Sequence, residues 1–433
     1  MCLEFFSKNM CRGRKIILVV MACIGFGKDA AAVEWMLKGS LNQQVEYNDN
    51  ISMNPVRNDS VVGYVLTPTL QASRKTRVLD IAFEGQGDIR RYDDSLWDCD
   101  KYNLRLNSDY RTKRSVFSLK GEYAVSCTYA QQILDTGLLL PNSQTDNYQL
   151  APSWVWQWTP RDQLILDASY SRTSYSIPLD GIDASVSNDF LNFSGNETYT
   201  VNLGGNHEWS RRLSLNGKFY FSHIRYTGGV DASAQNLFGF QLGANYTINR
   251  SWTVSAAGGP IWIDETRSNS ADVPSGQSPS LSLGSAANIT LSYDDRLSQF
   301  SAGFSNAVNP SAIGQTLQTN SIFANYSYHL TRHLVLDFTS NFTRSESIEG
   351  QPSGDLTGQF DRSYFSVAAG IAWEFAKNWR LKGSYIYSWQ DFQQDNQDFQ
   401  SDLQARNLFV GTSDSNAVTV FLNYSWDGIR HSR

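Results

Sequence analysis

The chain has 433 residues and a formal net charge of -6, and its charged share is only 18%. A mean hydropathy of -0.38 is too polar for a membrane protein built of apolar helices. The aromatic share, 13%, is high for so polar a chain, a combination that fits strands alternating lipid-facing and water-facing residues. The competing class is a large soluble all-β protein, a propeller or double sandwich, and the strand pattern has to decide between them.

The N-terminus opens on Lys8, Arg12, Arg14 and Lys15, followed by an apolar run from Ile16 to Gly27 and then Ala30-Ala31-Ala32. The run is too short to cross a bilayer as a helix. A basic flank, a short apolar core and small residues predict a cleaved signal peptide over 1–32. A buried N-terminal strand would leave the basic flank unexplained, and a lipid anchor at Cys23 fits its neighbours poorly.

From residue 33 onward the chain divides into period-two segments. Trp35, Leu37, Leu41, Val45 and Tyr47 alternate with Lys38, Ser40, Asn42, Gln44 and Glu46. Leu79, Ile81 and Phe83 alternate with Asp80, Ala82 and Glu84, and Trp379, Leu381, Tyr385, Tyr387 and Trp389 with Arg380, Lys382 and Ser388. The final segment sets Val418, Val420, Leu422, Tyr424 and Trp426 against Thr419, Phe421, Asn423 and Ser425. Short polar turns, such as Arg111-Thr112-Lys113, Pro160-Arg161-Asp162 and Thr331-Arg332, alternate with long polar stretches at 50–60, 89–96, 130–145, 177–196, 266–279, 307–315, 345–360 and 391–414. The expected fold is therefore all-β: a transmembrane antiparallel up-and-down barrel of about 18 strands (16 if two weak segments are loops), with short periplasmic turns and long external loops. The barrel is expected over 33–427, its last strand starting near 416, with a short tail over 428–433.

Aromatics gather beside the short turns. Trp154, Trp156, Trp158, Trp209, Trp252, Trp373, Trp379 and Trp426 are expected to form a periplasmic girdle at headgroup level. A soluble core would not place rings so regularly next to Arg- and Lys-bearing turns. The polar face should then line a lumen, with Asp80, Glu84, Lys101, Arg105, Lys120, Glu122, Lys218, Arg380 and Lys382 as pore-lining candidates. Their mixed signs argue against strong ion selectivity, which uses rings of one sign.

Outside the signal segment only Cys99 and Cys127 remain, a candidate disulfide for an oxidising envelope. Strict alternation puts Cys99 on the inner face and Cys127 on the outer, so a bond needs a bulge or an end-of-strand departure. Asp180, Asp183 and Asp189, and Asp391, Asp395, Asp398 and Asp402, lack the ordered spacing of a calcium loop, so no metal site or cofactor is expected. No Gly-x-Ser-x-Gly elbow, His-Glu-x-x-His or phosphate loop occurs, and of five histidines only His223 nears the outer rim. A non-enzyme is expected. Partners should be outer-membrane lipid and lipopolysaccharide and the barrel assembly machinery, and no nucleic acid.

The segment Val45-Glu46-Tyr47-Asn48-Asp49-Asn50-Ile51, with Asn58-Asp59-Ser60 and Leu66-Thr67-Pro68 after it, resembles the opening of the outer-membrane β-barrel porin-like family that includes barrels found with exopolysaccharide biosynthesis and export genes. The local match spans 45–70; the remainder resembles the family in architecture. The resemblance implies a porin-like role, passage or surface retention of a polysaccharide, and polysaccharide or its export proteins as partners. It assigns no catalytic residue.

Overall fold

The computed structural model describes residues 33–53, 55, 59–127, 144–176, 195–227, 233–267, 281–310, 316–348, 360–394 and 411–432. The expected signal segment and the carboxylates Asp180, Asp183, Asp189, Asp395, Asp398 and Asp402 lie outside these.

The strands are β1 (Glu34–Asn48), β2 (Val61–Lys75), β3 (Leu79–Tyr92), β4 (Cys99–Arg111), β5 (Ser115–Cys127) and β6 (Gln144–Gln157). Then come β7 (Asp162–Ser176), β8 (Gly195–Glu208), β9 (Leu213–Thr227), β10 (Ser233–Thr247), β11 (Trp252–Arg267) and β12 (Leu281–Asp294). The last six are β13 (Ser298–Pro310), β14 (Thr316–His329), β15 (Leu334–Ser347), β16 (Phe360–Ala376), β17 (Trp379–Gln394) and β18 (Gly411–Ser432). Each pairs antiparallel with the next, and β1 pairs with β18, so the sheet of 18 strands closes on itself. Closure leaves no strand edge for lipid to satisfy, which is why a spanning sheet must be a barrel.

The short connections are fixed by side chains that imitate backbone. Thr76 Oγ1 accepts from the Leu79 N–H at 2.9 Å, Thr112 Oγ1 from Ser115 at 2.9 Å, Ser210 Oγ from Leu213 at 3.0 Å and Asn249 Oδ1 from Trp252 at 3.0 Å. A hydroxyl or amide three residues ahead of the strand start is the local code for these turns. In the two-residue turn before β17, Asn378 takes a φ of 70°, which asparagine tolerates better than most residues.

Register fixes the two faces. Tyr47 lies opposite Val62, Val45 opposite Tyr64, and these four are 43–53% exposed on the outside. Glu46, Gln44 and Asn42 point the other way, as alternation requires. The outward face carries the exposed apolar side chains, from Leu70 and Leu119 to Ile322 and Val420. An apolar band around a closed sheet makes this a transmembrane barrel of the outer-membrane type.

Several strands run a few residues into the expected loops, and the C-terminal boundary differs most in kind. The residues read as a tail continue β18, with Glu34 opposite Ser432 and Leu37 opposite Ile429. The register slips between Leu37 and Gly39, and Gly428 sits at a φ of 87°. A Cβ there would meet the Leu37 carbonyl oxygen at 2.0 Å, so glycine is what lets the strand resume past Trp426.

Candidate functional site: a polar lumen narrowed at its outer mouth

All nine pore-lining candidates sit on the inward face. Glu84 lies opposite Arg105, and Arg105 opposite Glu122. The three make an ion-pair ladder, with Arg105 Nη1 at 3.5 Å from Glu84 and Nε at 3.2 Å from Glu122. Asn103 Nδ2 donates to Glu122 at 3.0 Å. Lys101 lies opposite Asp88, Asp80 opposite Asp109, and Lys120 opposite Asn107. On the other side of the seam, Lys382 pairs with Asp337 at 3.4 Å and Arg380 with Glu374. Lys218 stands 5.8 Å from the Tyr220 ring. The Arg105 side chain keeps 48% of its exposure and Lys382 40%, so these charges face open space in the barrel.

The charges are unevenly spread. They crowd β1–β5, whereas the facing wall, β10–β14, carries almost none. Hydroxyls and amides line that side and the neighbouring β15. Ser321 Oγ donates to Asn341 Oδ1 at 3.0 Å, and Thr343 Oγ1 to Ser321 Oγ at 3.3 Å. Thr319 and Ser345 are 3.3 Å apart, and Ser327 donates to Asp337 at 3.0 Å. The lumen thus has a wall carrying charges of both signs, on which Arg105 is paired with Glu84 and Glu122, and a polar wall with few charges opposite.

The outer mouth is different. The connection after β1 folds inward, and Ile51 and Met53 pack with Val61, Tyr92 and Trp97, all buried, with Cys127 and Tyr364 against them. Gln390 Nε2 donates to the Met53 carbonyl at 2.9 Å, and Asn50 Nδ2 to the Asp414 carbonyl at 2.8 Å, tying this segment to the far side of the β1–β18 seam. A second cluster joins Ile224, Tyr226, Leu237, Ile261, Ile263 and Ala286 to Ile348, which follows β15. The outer end of β14 reaches the same place: Thr316 donates to Gln235 and lies 3.3 Å from the Tyr226 hydroxyl, with Thr316 and Gln235 both 0% exposed. The sequence pattern assigns 50–60, 307–315 and 345–360 to long external stretches and leaves open that a loop folds into the lumen. The signal for the inward segments was a set of large apolar residues, Ile51, Met53 and Trp97, inside otherwise polar stretches.

Cys99 and Cys127 are bonded, with Cα atoms 6.0 Å apart. The expected conflict of faces is resolved at the strand ends. The β4–β5 ladder stops at Tyr102 opposite Val125, and the two cysteines are the outermost residues of their strands. The bond closes the hairpin beside Trp97 and so braces the first inward cluster.

The tryptophans of the expected girdle lie on the outward face or in the short turns. Trp154, Trp156 and Trp158 form a stacked row with Phe117 at centroid spacings of 6.1–6.2 Å. Trp252 meets Tyr293 at 4.8 Å and Trp379 meets Tyr424 at 4.9 Å. Trp209 and Trp373 are exposed, as is Trp426. His223 shares the outward face, where its Nδ1 meets Asn236 Oδ1 at 2.8 Å, so it does not face the lumen.

No family model matches this chain, and no curated relative does. Among solved structures, OccAB3 of Acinetobacter baumannii is similar at 10% identity over 90% of this chain and 99% of that one, with a TM-score of 0.44. OpdQ of Pseudomonas aeruginosa is similar at 11% identity over 90% and 97%, with a TM-score of 0.45. The unliganded ferric citrate transporter FecA is similar at 10% identity over 83% of this chain and 60% of that one, with a TM-score of 0.47. At these values the likeness carries no argument about what passes or binds. The class rests on the chain's own geometry, a closed barrel of 18 strands in the outer membrane.

Proposed function

We propose that this barrel is a channel for passive passage of uncharged, hydrophilic solutes, small molecules or a saccharide chain, through the outer membrane, and that it is not an enzyme. The observation that carries the reading is the accessible lumen wall, with charges of both signs interspersed on β1–β5 and hydroxyls and amides on the side facing it. A wall of neutral donors and acceptors can exchange hydrogen bonds with hydroxylated solutes without a net field to reject or trap them. The link to exopolysaccharide export rests on the sequence resemblance at 45–70. Planar-bilayer recording tests the channel: steady open steps with weak cation–anion discrimination are expected.

A second reading has its own observation. Burial of Ile51, Met53, Trp97, Thr316 and Ile348 narrows the outer mouth, as in a barrel that binds a polysaccharide or partner at its surface instead of conducting. A folded barrel that stays electrically silent, but retains polysaccharide, would decide for it.

A further inference from the structure

The β12–β13 ladder ends at Ala287 opposite Asn306, whereas β11–β12 continues to Leu281 and β13–β14 to Pro310 opposite Thr316. Above that rung β13 leaves the wall and leans inward. Val308 alternates with the outward-facing Phe304, yet its Cγ2 lies 3.1 Å from where a Cβ on the inward side of Gly284 would stand. The edge of β12 that β13 abandons keeps one of its partners through a side chain: Gln318 Nε2 donates to the Ser285 carbonyl at 3.0 Å.

Four uncharged polar side chains meet at this seam: Ser285, Asn306 and Asn320 from the face that alternation gives to lipid, and Gln318, which reaches in between the strands with its Oε1 3.3 Å from the inward Cβ position of Gly284. Asn306 Oδ1 accepts from Ser285 Oγ at 3.1 Å and from Gln318 Nε2 at 2.6 Å, and Asn306 Nδ2 donates to Asn320 Oδ1 at 2.6 Å. Below them the outward faces are apolar or aromatic: Ala287, Ile289 and Leu291 on β12, and Phe304, Ala302 and Phe300 on β13. The flanks are apolar too, with Leu283 68% exposed and Ile322 55% exposed. The amides bond one another, but the β12 edge above Ala287 has lost its β13 ladder, and such an edge and a polar cluster between apolar flanks are both poorly served by hydrocarbon. A molecule with a neutral hydrogen-bonding head and an apolar tail can satisfy both, its head in the seam and its tail along Leu283 and Ile322.

We propose that the β12–β13 seam is a lateral binding slot, open to the outer leaflet, for an amphiphile with an uncharged, hydroxyl-rich head. The absence of any charge from Ser285, Asn306, Gln318 and Asn320 selects such a head over a phosphate-bearing one. The slot requires only that the barrel sit in a bilayer, so it stands apart from whether the lumen conducts.

The test uses photocrosslinking. A p-benzoylphenylalanine at Ile322 sits at the slot mouth, and one at Val201 is its control, since both are outward and each is seven residues from the inner end of its strand. The full-length barrel in bilayer discs is doped with equal mole fractions of dodecyl maltoside or dodecylphosphocholine. The adduct at Ile322 is expected to favour the maltoside by about tenfold, with no preference at Val201, two or three neutral hydrogen bonds being enough for that ratio. N306L is expected to abolish the preference, and S285A, which removes one hydroxyl and leaves the backbone alone, to halve it or more; retained heat-modifiable migration shows that each variant is folded. Equal labelling by the two amphiphiles at Ile322, or a preference that folded N306L and S285A both keep, overturns the slot.

Discussion

Arg105 shows how one lumenal side chain sets the field around it. It is held between Glu84 and Glu122, and all three are partly exposed. Removing both carboxylates by E84Q/E122Q leaves a guanidinium without its carboxylate partners on the inward face. Expected are a shift of the reversal potential toward anions in a salt gradient and a stability change below about 1 kcal/mol, because exposed pairs are screened. Gly63 is a different kind of residue effect. A Cβ at this position would lie 2.3 Å from the Tyr92 ring, which belongs to the first inward cluster. G63V should displace Tyr92 and lower the urea midpoint, at a cost of about 1–3 kcal/mol for overpacking, while Arg105 and the inner lumen stay as they are.

The elements that matter beyond the strands are the segments folded into the mouth. Docking of the outer ends of β13 and β14 forgoes ladder bonds to β12 and gains burial of Val308 and Thr316 against the cluster of Ile261, Ile263 and Tyr226. The connection after β1 is held by two side-chain bonds to backbone carbonyls, from Gln390 and Asn50, and by Ile51 and Met53. M53S should release it, since losing a buried side chain of this size removes about 2–5 kcal/mol of packing and transfer energy. If the channel reading holds, unit conductance rises in M53S and noise from the mouth falls or shifts; unchanged conductance would place the narrowest point elsewhere. The disulfide braces the same cluster. C99S/C127S should fold as a barrel, because β4 and β5 are paired along their length, yet unfold at lower urea by an amount on the order of 2–4 kcal/mol.

For the whole molecule, closure is the controlling event. Every ladder in the ring joins neighbours in sequence except β1 with β18, which brings residues such as Tyr47 and Val418 together across the full length of the chain. A stop after Trp426 removes the rungs from Leu37–Ile429 to Glu34–Ser432 and the Arg430–Glu34 ion pair. The truncated chain should close more slowly and show a lower heat-modifiability midpoint, read by gel migration after graded heating.

The amino-acid pattern by itself determined the strand number, the two faces and the short-turn end, because each depends on alternation within about 10–15 residues and on turn chemistry at fixed offsets. The inward position of Asp80, Glu84, Arg105 and Lys382, and the outward position of Trp154 and Trp379, follow from parity alone. Tertiary structure decided what parity cannot reach. Thr316 and Val308 leave the face their alternation assigns because the hairpin carrying them bends as a unit onto Gln235 and Ile263. Cys99 meets Cys127 because both strands end there. The tail becomes strand because Gly428 absorbs a bulge opposite Lys38. In each case the deciding contact joins residues distant in sequence or at the limit of a ladder, where the local repeat no longer constrains the backbone.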